Sequence, residues 1–257
     1  MIHSTCTDGL AEIVLDAPQR LNAVDAEALH ELVESVGRAE ADGARALLLR
    51  GEGKGFCAGR DIAGVDPRED DVIGFLSGPV TDAMRALADL PIPTFAAVHG
   101  ACLGVGLGLA LACDVVYTAE DAKLGSPFKN LGATLDSGGH WLLVERLGTH
   151  RAMDLIITGD LITGADAVQA GLFSRAVPSA DLLDFTRERA RAAASGPTGA
   201  FLASKRLLAR IRDERLGFWD VLELENRAQA DLCDTDDYRE GFAAFQQKRQ
   251  PRFTGGR

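Results

Sequence analysis

Between Lys129 and Glu145 the sequence carries one formally charged side chain, Asp136, set in FKNLGATLDSGGHW (residues 128–141). A carboxylate in such apolar company suits two different jobs. In a dry pocket, desolvation raises its pKa toward the working pH, as befits a group that takes a proton and gives it back. Ahead of Ser-Gly-Gly and the apolar run HWLLVERL it can instead cap a helix N-terminus, which stabilises the anion and opposes basicity. The residues alone leave both readings open. His140 stands four positions on and would share a helix face with Asp136, but it reads as a structural histidine, as does His99 at a strand end.

Two glycine-rich stretches offer a second kind of chemistry: GEGKGFCAGRD (51–61) and GACLGVGLG (100–108). Neither holds a Gly-Lys-Ser/Thr at phosphate-loop spacing, and Gly104-Val-Gly-Leu-Gly108 is not G-x-G-x-x-G, so a nucleotide loop is disfavoured. Glycine after a strand also exposes backbone N–H groups. Two of them converging from different loops make an oxyanion hole for an ester or thioester carbonyl. A helix starting after Gly104 would add the positive end of its dipole. Close packing alone is the plainer use of such glycines.

These groups need a frame. LAEIVL (10–15) reads as a strand, 25–41 as an amphipathic helix with Asp25 as N-cap, and ARALLLRG (44–51) as a second strand. A polar loop covers 51–72, and a helix spans about 74–90 until Pro91 and Pro93 stop it. TFAAVHG (94–100) and CDVVYT (113–118) flank a short apolar helix. Strands alternating with helices predict a mostly parallel α/β sheet. Helical patterns dominate from 137 onward, broken by LFSRAV (172–177), and the last sixty residues read as wholly helical.

Composition narrows the function. The chain has 257 residues, 46% hydrophobic and 25% charged, as expected of a globular domain. A net charge of −11 disfavours nucleic acid as a partner. After Glu240 no acid follows, whereas Lys248, Arg249, Arg252 and Arg257 do, so the tail is either a solvated end or a local basic patch. Five cysteines without CxxC or Cys/His spacing predict no metal site and a reducing, cytoplasmic setting. The N-terminal MIHSTCTDGLAEIVL has no signal-peptide pattern, and the apolar run at 101–113 is too short and glycine-rich for a membrane span.

Taken in order, APQRLNAV, GFCAGRDI, VHGACLGVGLGLALACDVV and ITGDLITGADAVQAGLFSRAV resemble the crotonase (enoyl-CoA hydratase/isomerase) superfamily. The closing DYREGFAAFQQKRQPRFTG is similar to that family's C-terminal signature. The resemblance implies a spiral of ββα turns over 1–195, with a helical trimerisation region over 196–257. It also implies a homotrimer or dimer of trimers, and acyl-CoA thioesters as substrates, with coenzyme A part of the substrate and no separate cofactor. The oxyanion donors it implies are the N–H groups of Arg60 and Val105, the latter flanked by Gly104. Ala58, Asp61 and Ile62 fall in the segment that lines coenzyme A. Arg20, Lys54, the Arg60 side chain and Lys248, the last often serving a neighbouring subunit, are the implied phosphate contacts.

The departures from the pattern are informative. Hydratases of that family carry one Glu in the helix after the glycine turn and another after G-x-P, where this chain has Gly108 and Phe128. Hydration needs one group to activate water and another to deliver a proton, so ordinary hydratase activity is not expected. Asp136 resembles the aspartate of the isomerase branches, the ring-1,2-epoxyphenylacetyl-CoA isomerases above all. A single carboxylate swinging between its two oxygens would move a proton along one face of an acyl chain, with Phe128, Leu131, Leu135 and Trp141 keeping it dry. A nucleophilic Asp136, as in the family's chlorobenzoyl-CoA dehalogenases, lacks its partners: residues 76–90 hold no His, and Phe128 stands where a Trp would. An acyl-CoA binder without chemistry is the alternative from another class.

Overall fold

The computed structural model describes residues 1–256; Arg257 lies outside the described residues. Strands β1 (Ile2–Thr7), β2 (Leu10–Leu15) and β3 (Ala46–Gly51) surround helix α1 (Ala26–Ala41) in sequence. The helix forms as its pattern predicts. Asp25 accepts from the Ala28 N–H at 2.9 Å, and Ala28, Leu29, Leu32, Val36 and Ala39 make the buried stripe. A helical stretch follows, α2 (Val72–Phe75), a π turn (Leu76–Val80) and α3 (Thr81–Asp89). The widened turn sits at Pro79, which has no N–H to offer an α-helical acceptor.

Strand β4 (Thr94–Val98) then leads through β5 (Ala101–Leu103) into α4 (Val105–Ala112), and β6 (Val115–Ala119) and β7 (Lys123–Gly125) come next. Helices α5 (Gly139–Leu147) and α6 (Thr149–Thr158) precede the short β8 (Ile162–Thr163), α7 (Gly164–Gln169) and β9 (Arg175–Val177). Helix α8 (Leu182–Ala194) is followed by three C-terminal helices, α9 (Thr198–Glu214), α10 (Phe218–Cys233) and α11 (Asp236–Gln246).

The main sheet runs β1-β2-β3-β4-β6-β9. Only the β1–β2 pair is antiparallel. Its central strands are apolar on both faces, as a covered parallel sheet requires: all five residues of β4 are buried. A second sheet, β5-β7-β8, stacks the short turns of the spiral. This is the α/β crotonase-like spiral that the motifs imply. Strands β5, β7 and β8 carry no sequence signal because two or three residues cannot show an alternation. Strand β1 is mostly exposed and is held by its register with β2.

The tail departs from expectation in two ways. It is helical only as far as Gln246, and it is not a frayed end. The buried Asp237 accepts from the N–H groups of Thr254 at 2.7 Å and Gly255 at 3.0 Å. Arg45 donates to the Phe253 carbonyl at 3.1 Å, and Arg249 forms an ion pair with Glu240 at 2.6 Å. All five cysteines are free thiols. Among the described residues there is no cluster of metal-ligating side chains and no helix long and apolar enough to cross a membrane.

Candidate active site

Main-chain bonding brings the two glycine stretches together. Cys57 N–H donates to the Ala101 carbonyl at 3.0 Å, and Leu103 N–H to the Cys57 carbonyl at 2.9 Å. On its other side this loop is pinned by Val24: Val24 N–H donates to Gly59 O and Asp61 N–H to Val24 O, each at 2.8 Å. In a parallel pairing the residue between those two partners turns its own N–H the opposite way. That residue is Arg60, and its N–H faces the 103–105 segment. The approach is so close that a Cβ on Gly59 (φ +97°) would lie 2.8 Å from Leu103 O and 3.7 Å from Val105 N.

Val105 is the first residue of α4, so its N–H has no acceptor within the helix. Gly104 before it takes φ +50°, ψ −119°, which a side chain would resist. Among the described residues neither the Arg60 nor the Val105 N–H has a protein acceptor. Two such donors from facing loops can polarise one carbonyl. The Phe128 ring packs over Gly104: a Cβ there would meet its Cζ at 2.9 Å.

The Arg60 side chain does not reach outward to a phosphate. Its guanidinium forks onto Asp70 at 2.6 and 2.8 Å and lies 4.2 Å from the centre of the Phe75 ring. It holds the Asp70 carboxyl below the usual range. Arg20 is likewise engaged, with Asp61 at 2.7 Å and Asp25 at 3.3 Å. Asp61 accepts from Arg20 and from the Ala63 N–H at 3.0 Å, so it shapes its loop and neutralises the very cation expected to meet a phosphate. Ala58 donates its N–H to Leu21 O at 2.9 Å. Lys54, Ile62 and Lys248 remain exposed. The Arg60–Asp70 fork ties the 61–75 segment to the donor loop. Asp70→Asn is expected to speed amide hydrogen exchange across 61–75 and leave β3 and β4 unchanged, as measured by mass spectrometry.

Asp136 lies on a tight turn ahead of α5. The Gly139 N–H donates to the Asp136 carbonyl at 2.8 Å, and Ser137 (φ +50°) and Gly138 (φ +72°) are both left-handed, the pattern of a type I′ turn. The helix-cap reading therefore fails. Gly138 is the N-cap of α5 and no side chain caps that helix. What the Asp136 carboxylate accepts is the Ser137 hydroxyl, at 2.8 Å to Oδ1. Since α5 starts at Gly139, His140 shares no helix face with Asp136; it contacts Thr134 at 3.2 Å on the exposed side.

Burial pushes the half-buried Asp136 carboxyl above the usual aspartate value, while the Ser137 hydroxyl and the Arg60 charge pull against that rise. The expected dry wall is not the one found. Leu131 and Trp141 are exposed, and Arg212 stacks 5.1 Å from the Trp141 ring. Leu135 is buried and lines a small cleft with Leu107 and Leu143. The cover instead involves α3 and α4. A Cβ on Gly108 would fall 2.6 Å from Ser137 Cβ, 2.9 Å from Ser137 O and 3.5 Å from Met84 Sδ. The aspartate turn thus sits on the bare backbone of α4, about one turn beyond Val105.

The enoyl-CoA hydratase/isomerase family model matches residues 5–256. The chain belongs to this family. As a member of it, the chain is 37% identical over 254 residues to a probable enoyl-CoA hydratase of Rhodobacter capsulatus, covering 99% of this chain and 98% of that one. It is 35% identical over 268 residues to the 1,2-epoxyphenylacetyl-CoA isomerase of Escherichia coli, with 99% and 98% coverage. The crystal structure of an enoyl-CoA hydratase/isomerase from Mycobacterium abscessus superposes with a TM-score of 0.92 at 33% identity, covering both chains fully. The residue pattern of this family member singles out Asp136 and the Arg60 and Val105 N–H groups as candidates, but not Ser137 or Asp70, which bond to Asp136 and Arg60. Ser137 carried a signal, in that a serine before two glycines is a turn. Asp70 sits in an acidic loop with nothing to distinguish it.

Proposed function

We propose that this enzyme isomerises an acyl-CoA thioester, with Asp136 as its one acid–base group and the Arg60 and Val105 N–H groups as its oxyanion donors. The observation that carries the reading is Asp136 itself. It is a half-buried carboxylate with no arginine or lysine partner among the described residues, on a turn packed over the Gly108 position where a hydratase would need a glutamate. The second hydratase position holds the Phe128 ring.

For a 3-enoyl thioester the chemistry balances within the substrate. Asp136 takes a proton from the α carbon, the C–H electron pair moves into a dienolate, and the two N–H groups hold the charge on the thioester oxygen. The same carboxyl then returns the proton at the γ carbon, and the double bond lies between the α and β carbons. Coenzyme A enters as part of the substrate, so no separate cofactor is required. Residues 58–62 line it, and the exposed Lys54 and, from a neighbouring subunit, Lys248 meet its phosphates. The region 196–257 exposes Leu208, Phe218, Trp219, Phe242 and Phe245, which fits burial in a homotrimer or dimer of trimers.

The test is incubation with 2-enoyl-CoA and 3-enoyl-CoA in deuterated water. Deuterium at the α and γ carbons supports the reading. Formation of 3-hydroxyacyl-CoA, labelled at the α carbon by the added water and unlabelled at γ, would favour the hydratase named among the relatives, and tight binding with neither product nor γ label would leave a binder. The pH dependence has a definite sign. Asp136 must be ionised to take the first proton, so the exchange rate should fall as pH drops through its raised pKa. Folding responds oppositely. A carboxyl with a higher pKa folded than unfolded favours the folded chain below the ordinary aspartate range and loses that contribution as pH rises through the raised value.

A further inference from the structure

We infer that Ser137 is a positioning residue for Asp136: its hydroxyl holds Oδ1, so that Oδ2 alone carries the proton. The inference rests on the isomerase reading above. Ser137 Oγ donates to Asp136 Oδ1 at 2.8 Å, and that bond outlasts the catalytic cycle. An ionised Asp136 accepts it, and an Asp136 protonated on Oδ2 still offers Oδ1 as a carbonyl acceptor. A carboxyl that swung between its oxygens would break the bond at every turnover. The proton is therefore taken and delivered from one oxygen, and the substrate carbons must both come within its reach.

Two features show that the hydroxyl is held for this task. Ser137 occupies φ +50°, a conformation that costs a side chain and would cost glycine little. The next two positions are glycines, yet this one keeps a hydroxyl. The residue is also closely packed. Its Cβ lies 2.6 Å from where a Gly108 Cβ would stand, and Met84 Sδ is 3.5 Å from the same point. Gly108 and Ser137 thus form one fitted contact: the bare helix backbone makes room for the serine that aims the aspartate.

Ser137→Ala keeps the Cβ and removes the donor, and Ser137→Gly also relieves the backbone, so the hydroxyl can be tested even if one variant folds poorly. Losing a hydrogen bond to the anion should move the acid limb of the pH–rate profile up by about one unit. With Oδ1 released, the ratio of deuterium at the α and γ carbons should change in both variants, while each still melts in a single cooperative transition. An unmoved acid limb and an unmoved ratio, in a protein whose exchange Asp136→Asn abolishes, would overturn the role of Ser137 alone. Exchange surviving in Asp136→Asn would overturn the isomerase reading and this inference with it.

Discussion

Asp136→Asn lowers the rate of proton exchange by ~10²–10⁴-fold, the range expected for removing a positioned acid–base group, while acyl-CoA binding and the fold are kept. Asparagine fills the same space and its carbonyl still accepts from Ser137 Oγ, so the turn has no reason to move. What is lost is a basic oxygen in a half-buried setting. The thermal midpoint at neutral pH should hold or rise, because the ionised aspartate is the form that burial penalises. Loss of rate together with unchanged stability distinguishes a catalytic group from a structural one. Deuterium incorporation, calorimetric titration with a CoA thioester and a melting curve settle the three points. A variant with parental exchange would remove Asp136 from the chemistry.

Gly108→Glu does not create a hydratase, although it restores one of the family's missing glutamates. The collision comes before any chemistry. The Cβ alone would sit 2.6 Å from Ser137 Cβ and 2.9 Å from a backbone oxygen, and a backbone cannot step aside as a flexible side chain does. Gly108→Ala should therefore cost about 1–3 kcal/mol by overpacking, or about 2–4 °C of midpoint per kcal/mol in a chain of this size. Gly108→Glu should cost more, and should reduce exchange by displacing the turn that aims Asp136. Adding Phe128→Glu removes the ring that packs over Gly104 and leaves the clash in place. Hydratase activity in the double variant, measured as water addition to 2-enoyl-CoA, would show that the turn yields and that Gly108 is not fitted to Ser137.

The spiral was legible in the sequence because long periodic elements declare themselves. The α1 stripe, the apolar β3 and β4 and the glycine turn before α4 are local patterns of burial and backbone freedom. The facing loops that carry the Arg60 and Val105 N–H groups were legible for the same reason, since such candidate donors depend on where glycines stand and not on side-chain identity. Asp136 stood out by its isolation. Side-chain partnerships were beyond the sequence, because they join residues with no shared period. Nothing in the chain order says that Arg60 forks onto Asp70, that Arg20 meets Asp61, or that Leu135 turns inward while Trp141 turns outward. The choice between cap and base was also tertiary. DSGG followed by an apolar run spells an N-cap, and only the folded chain shows the left-handed turn at Ser137 and Gly138, packed on Gly108, that carries the Asp136 carboxylate off the helix end.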